Sequence, residues 1–418
     1  MKNSFSWRKL FNDVHLWLGI ASGLVLFIVC LTGTIYTFRS DIEKMLEPEK
    51  YSISASATGK PLPADALIAK LEQEQKGKVM SLEIPAAKTE SYRVSIAPPV
   101  TDKPEAQPEA NPKSEGKGGE KGEGKGKGGE EGPRPISYYV NQYTGTILGT
   151  TEGPASEFFG TVMKMHRWLL LGDSIGRIIV GIATIIFAIL CLTGLILWWP
   201  KKLKNWKQGL KIKTDANWKR INHDLHNTFG FYSFTLLLIM SLTGLCWSFE
   251  WYREALGKVM GAEVFKGRKE KPMATFAGAD ASLLTTEDFI ASANNLLPYE
   301  GNMRISLPDN DTTAVVITKS KAGFLALNAS DKVQLDQHNG KPLKVDIFAD
   351  KPLNEQIVSL IKPLHLGDIY GTFSKVLYFL ACLVATSLPV TGTLIWINKL
   401  NKKPKKKQKT RTIAVAEV

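Results

Sequence analysis

Residues 13–38 read DVHLWLGIASGLVLFIVCLTGTIYTF. Between Asp13 and Arg39 there is no Asp, Glu, Lys or Arg. A helix crosses a bilayer with about 20 apolar residues. A water-soluble helix of this length would keep a polar face, and this run has none. It therefore predicts a transmembrane helix over 13–38. The apolar stretch is too long for a cleavable signal and lacks a small-x-small cleavage site, so the segment is expected to be retained as an anchor.

Three more runs of the same kind follow, and they predict transmembrane helices over 175–199, 221–249 and 372–397. Basic residues set the expected orientation. Lys2, Arg8 and Lys9 precede the first helix, the loop from Lys201 to Arg220 carries eight Lys/Arg against one Asp, and Lys399 to Arg411 adds eight more. All three segments fall on one side of a four-helix protein, and positive charge favours the cytoplasm. Segments 1–12, 200–220 and 398–418 are thus expected inside, and the long segments 39–157 and 250–351 outside. The net charge of +13 then reflects topology and contact with anionic membrane lipid, not nucleic-acid binding. The cysteines, Cys30, Cys191, Cys246 and Cys382, each fall in a different helix and read as small buried hydrophobes, with no disulfide framework outside.

Within the first outer segment, residues 98–135 are Pro, Gly, Lys and Glu with almost nothing to bury, which predicts a disordered insertion. Around it lie a helical pattern at Ala64–Glu74 and strand patterns at Met80–Ile84, Tyr92–Ala97 and Ile136–Val140. The second outer segment repeats the scheme, with a helix near Thr286–Leu296 and strand patterns at Arg304–Leu307, Thr313–Thr318, Gly323–Leu327 and Lys332–Leu335. YYVNQYTGTILG at 138–149 matches VQLDQHNGKPLK at 333–344, each a strand, a Gly turn and a second strand. Amphipathic stretches at 158–174 and 352–371 predict outer interfacial helices. The expected fold is a four-transmembrane-helix bundle built as a tandem duplication, with two small extracytoplasmic α+β modules.

Histidine placement gives the chemistry. The chain has six, and His15, His166, His226 and His365 stand at the mouths of the four helices. His15 precedes Thr32-Gly33 by seventeen residues, and His226 precedes Thr243-Gly244 by seventeen. His166 and His365 stand twenty-seven and twenty-six residues before Thr193 and Thr391. Helix parity pairs His15 with His226 near the cytoplasmic face and His166 with His365 near the outer face. Imidazole suits iron, copper and zinc alike. Gly19 and Gly230 lie one turn beyond His15 and His226 on the same helix face, leaving room for a flat macrocycle, which points to haem. The Thr-Gly pairs read as points of close helix approach. His223 is a competing ligand or a propionate contact, Met163 and Met165 offer a sulfur ligand beside His166, and His338, in a hairpin turn, reads as a surface residue. Lys164, Arg167, Arg177, Lys362 and Lys375 cluster near the outer pair, and Arg8, Lys9, Lys219 and Arg220 near the inner pair, where propionates would be paired.

Four helices with His at each mouth, Thr-Gly within each, and two outer modules with Tyr143-Thr144-Gly145 and His338-Asn339-Gly340 turns resemble the PepSY-associated transmembrane proteins. That family includes iron-regulated membrane proteins and inner-membrane siderophore reductases. The resemblance implies PepSY-like outer modules in the periplasm, two haems of the b type, and transfer of electrons across the bacterial inner membrane to a ferric siderophore. The ligands carried over are His15 with His226 and His166 with His365. The donor would be quinol or a cytoplasmic reductant. Two rival functions are a membrane protein that binds or regulates a periplasmic peptidase and a transport subunit for iron or its chelate. The reductase reading has one difficulty: His15 to Phe38 spans roughly 35 Å of helix, long for direct transfer between haems at opposite surfaces.

Overall fold

The computed structural model describes residues 6–53, 59–98, 135–266, 270–276 and 284–401. Nearly all of the expected insertion at 98–135, and most of the basic tail at 398–418, lie outside these residues.

Among the described residues, four helices are long and apolar enough to cross a membrane: α1 (Trp7–Thr37), α6 (Asp173–Trp198), α7 (Trp218–Ser248) and α12 (Gly371–Leu400). The protein is a multi-pass membrane protein. Between α1 and α6 come α2 (Arg39–Leu46), α3 (Pro48–Tyr51), α4 (Ala64–Gln75), strands β1 (Lys78–Ile84), β2 (Tyr92–Ala97), β3 (Ile136–Val140) and β4 (Ile147–Thr150), then α5 (Pro154–Trp168). Between α7 and α12 come α8 (Glu250–Met260), α9 (Thr286–Leu296), β5 (Gly301–Ser306), β6 (Val315–Lys321), β7 (Ser330–Leu335), β8 (Pro342–Asp346), α10 (Leu353–Ser359) and α11 (Ile361–Leu366). Each half places one helix and four strands between its two long apolar helices, with one or two shorter α-helices on either side of that unit.

The two α+β units are joined by strand pairing. All eight strands form one antiparallel sheet in the order β4-β3-β2-β1-β5-β6-β7-β8. The halves join where β1 pairs β5, with Leu82 opposite Ile305. Both of these side chains are fully buried, as are Val94 and Ile317 on the neighbouring strands. One hydrophobic core therefore runs beneath the whole sheet, roofed by α4 and α9. Those two helices begin by capping each other. The Asp65 carboxylate accepts from Thr286 N at 2.9 Å and from its hydroxyl at 2.6 Å, and Glu287 accepts from Ala64 N. A carboxylate at a helix N-terminus satisfies orphan N–H groups and opposes the dipole.

The pattern at Gly323–Leu327 predicts a strand, and the structure has none there. The segment is the connection between β6 and β7, and its apolar residues Phe324 and Leu325 are exposed. The expected helix over 352–371 is broken at Leu360 into α10 and α11. His338, expected at the surface, is buried; its Nε2 lies 2.9 Å from the Asp311 carbonyl and ties the β7–β8 turn to the β5–β6 connection.

In the bundle, small side chains occupy the buried faces: Ser22, Thr32 and Thr34 of α1, Gly176, Gly181 and Ala183 of α6, and Ala381 and Ala385 of α12. Without a hydrophobic drive between helices in lipid, such residues permit the close backbone approach that holds them together. The bundle end next to the strands is called the sheet side here, and the end bearing the 199–217 connection the loop side.

Candidate functional site: two imidazole pairs

On the loop side, α1 and α7 bring His15 and His226 together, with ring centres 6.3 Å apart and planes at 90°. On the sheet side, His166 at the end of α5 meets His365 of α11, with ring centres 6.4 Å apart and planes at 56°. The short helices α5 and α11 lower their histidines into the bundle before the chain turns into α6 and α12.

Each ring is seated by a Thr-Gly pair on another helix. His15 Nδ1 lies 2.9 Å from Thr193 Oγ1, and His226 Nδ1 lies 2.9 Å from Thr391 Oγ1. His166 Nδ1 is 2.9 Å from the Val29 carbonyl and 3.3 Å from Thr32 Oγ1, and His365 Nδ1 is 3.0 Å from the Met240 carbonyl and 3.2 Å from Thr243 Oγ1. The following glycine leaves room for the Cε1 edge of each ring. A Cβ added at Gly33, Gly194, Gly244 or Gly392 would stand 2.9–3.3 Å from the imidazole Cε1 of His166, His15, His365 or His226.

These contacts fix the tautomer. Every one of the four threonine hydroxyls donates its only hydrogen to the carbonyl four residues back in its own helix: Thr32 to Ile28 at 2.7 Å, Thr193 to Ile189 at 2.8 Å, Thr243 to Ile239 at 2.7 Å and Thr391 to Ser387 at 3.0 Å. Only lone pairs remain for the histidine, so Nδ1 carries the proton and donates it. Nε2 is left with its lone pair. Within each pair, both rings thus keep a basic Nε2 beside the cavity they line.

The separation suits one metal ion held in line. Two imidazoles bonded at about 2.0–2.1 Å, with each nitrogen ~1.1 Å from its ring centre, place the centres about 6.3 Å apart. A bare ion of this type takes three or more protein ligands, and among the described residues no group of three or more His, Cys, Asp or Glu is placed to hold one. The room around the rings suits a larger group. The loop-side cavity measures about 610 Å³ and the sheet-side cavity about 530 Å³, within the roughly 300–1,000 Å³ usual for cofactor sites. Gly19 and Gly230 both line the loop-side cavity, and the nearest atom to a Cβ at either is a leucine methyl 3.8 Å away. In the sheet-side cavity, Trp168 Nε1 and Asp368 Oδ1 are buried without a protein partner. Burial pushes the Asp368 carboxyl up, against a hydrogen bond from Asn328 and the charges of Lys362 and Lys375. A bound group with polar edges would satisfy both atoms.

The other candidate residues divide. Arg167, Arg177, Lys362 and Lys375 line the sheet-side cavity with Arg39, and so does Met163. Arg8 and Arg220 line the loop-side cavity. Lys9, Lys164, Lys219 and Met165 are not among the lining residues. His223 reaches the rim of the loop-side cavity, half exposed and beside Asn227 at 3.2 Å, and stands outside the ring pair.

The two cavities are neighbours: Leu26, Phe187 and Leu237 line both. His15 and Thr32, which seats His166, are seventeen residues apart on α1, about 25 Å along the helix. This is shorter than the roughly 35 Å from His15 to Phe38, because the sheet-side pair sits below the helix mouths.

Fold and site together define a membrane protein with four apolar helices among the described residues, carrying an antiparallel sheet and two half-buried imidazole pairs. A family model described as the PepSY-associated TM region matches residues 13–399, and the chain belongs to that family. No curated protein matches the chain.

Proposed function

We propose that the protein is a di-haem transmembrane reductase that passes electrons across the bacterial inner membrane to a ferric siderophore in the periplasm. His15 with His226, and His166 with His365, hold one haem b each. Bound there, the two haems would supply one-electron Fe(III)/Fe(II) carriers at two depths of the membrane. The observation that carries this reading is the pair of imidazoles at each end, with ring centres 6.3 and 6.4 Å apart and each Nδ1 anchored on another helix, which would leave both Nε2 atoms free for a haem iron. Both termini and the basic 199–217 connection face the cytoplasm, as the positive charge there favours, and the sheet stands in the periplasm. The two halves are tandem copies, which is why the four seats repeat one design.

The residues have separable roles. Each threonine orients its imidazole and, by accepting the Nδ1 proton, raises the basicity of Nε2 toward the metal. Each glycine lets the ring stand against the helix backbone. The cationic side chains at the cavity rims pair with anionic edges of the bound group. Leu26, Phe187 and Leu237 keep water out of the path between the two sites. Quinol or a cytoplasmic reductant supplies the electron on the loop side. The acceptor is Fe(III) in an oxygen chelate, whose reduction to Fe(II) loosens the chelate's hold.

The test is haem content. Protein purified from haem-replete cells is expected to bind two haems per chain, and His→Ala at 15, 166, 226 or 365 is expected to remove one specific haem each. Colourless wild-type protein, or four variants that all retain two haems, overturns the reading.

A further inference from the structure

The connection between β6 and β7 leaves the sheet and docks on the head of α12. Asn328 N donates to the Ile369 carbonyl at 2.8 Å, and Leu327 pairs with Tyr370 in an isolated bridge. Phe373 N donates to the Phe324 carbonyl at 3.2 Å, and the two phenyl rings stand 6.2 Å apart. The contact is shaped for backbone. Gly371 lies at φ +55, and a Cβ there would run into the Gly323 and Phe324 carbonyl oxygens. The tip of this loop is therefore held in place.

What it holds out is apolar. Phe324 and Leu325 are each 62% exposed. A soluble domain rarely presents two large adjacent apolar side chains on a pinned loop without a partner for them. The tip continues a stripe on α12: Phe373, Val376, Leu377 and Leu380 are exposed at helical spacing, while Ser374, Tyr378 and Ala381 face the bundle. That outward stripe belongs to a membrane-crossing helix. Phe324 and Leu325 extend it beyond the first turn, with Phe324 beside Phe373.

We infer that the β6–β7 loop is a lipid-binding wedge: Phe324 and Leu325 insert into the bilayer leaflet on the sheet side and fix the sheet's height over the bundle. The occupant is lipid, because the patch is continuous with the lipid-facing stripe of α12.

The test places a nitroxide at Phe324→Cys in the full chain, reconstituted in phosphatidylcholine–phosphatidylglycerol vesicles. Leu380→Cys serves as the lipid-facing reference and Asn339→Cys as the aqueous one, with wild-type protein labelled in parallel as background. Relaxation of the label by oxygen and by a water-soluble nickel chelate is compared. The expected result is relaxation dominated by oxygen at 324, as at 380 and opposite to 339. Dominance by the nickel chelate overturns the inference. So does shielding from both reagents, which would mean that protein, such as a second copy of the chain, covers the patch. Adding Gly371→Ala is expected to shift the 324 label toward the aqueous signature and leave 380 unchanged; no shift would remove the cradle from the inference.

Discussion

His15 and His226 present their rings to each other at 6.3 Å and at right angles, and the nitrogen that each turns away lies 2.9 Å from a threonine hydroxyl on the next helix. The sheet-side rings, His166 and His365, stand at 56° instead. If each pair ligates a ferric haem, the relative orientation of the two imidazole planes governs the anisotropy of its low-spin electron paramagnetic resonance signal. Two distinct signals are expected. The more anisotropic one should vanish in His15→Ala or His226→Ala and survive His166→Ala. A single signal of double intensity in wild type contradicts the geometry.

The glycines that abut the rings offer a second check. A branched side chain at Gly244 would occupy the place of the His365 ring, whose Cε1 is 2.9 Å from where a Cβ would stand. Gly244→Val is expected to eliminate the sheet-side haem alone, and Gly194→Val the loop-side haem alone through His15. Haem counted by pyridine haemochromogen, together with the signals above, decides it. Loss of the opposite haem from either variant breaks the assignment of seats.

In the proposed site, threonine would act through histidine and not on the metal. Thr193→Ala removes the acceptor for His15 Nδ1, and loss of such an outer partner lowers metal-site affinity by about 10–100-fold. Thr193→Ser keeps an oxygen there and is expected to restore haem retention. Equal loss in both variants would mean that the methyl packing matters and the proton acceptance does not. The readout is haem dissociation to a scavenging apoprotein.

Phe187 is shared by the walls of both cavities. Phe187→Ala is expected to destabilise the bundle by about 3 kcal/mol, the low end for a partly exposed phenylalanine. It should also slow the appearance, at one face of a proteoliposome, of reducing equivalents supplied at the other, with two haems still bound. An unchanged transfer rate would exclude this layer from the path.

Acid sensitivity of the sheet should centre on Glu270. Ammonium groups of Lys344 and Lys332, the latter at 2.9 Å, hold its carboxyl down to about 2 from an ordinary 4.5. A carboxylate depressed on folding stabilises the fold above its unfolded value, and that contribution is lost as pH falls through the folded one. Hydrogen-exchange protection of β7 and β8 is expected to fall between about pH 4.5 and 2 in wild type. In Glu270→Gln it should be lower at neutral pH and flatter across that window.

Much of this was legible before any coordinates. Apolar runs without charge name membrane helices, because lipid admits little else. Equal intervals from His15 to Thr32 and from His226 to Thr243 set the two halves in parallel. What those intervals conceal is who touches whom. His15 shares a helix with Thr32, yet Thr193 seats it, while Thr32 seats His166. Spacing along one chain measures rise, not partnership, so the Thr-Gly pairs read only as places of close approach. The β1–β5 junction was hidden for a related reason. Strand pairing between Leu82 and Ile305 is set by tertiary packing across more than two hundred residues, and each strand alone reads as an ordinary half-buried segment. At 323–327 the apolar pattern was real and its meaning different, since Phe324 and Leu325 sit on a loop and not in a ladder.

The reciprocal seating has a consequence for how such a molecule comes together. Inside each half, the histidines are already braced: α1 and α6 exchange supports for His15 and His166, and α7 and α12 do the same for His226 and His365. Opposing rings, by contrast, always come from different halves. One half, freshly inserted, would thus be a finished jaw awaiting its mate, and whatever lies between the rings would act as the rivet that fastens two prefabricated parts.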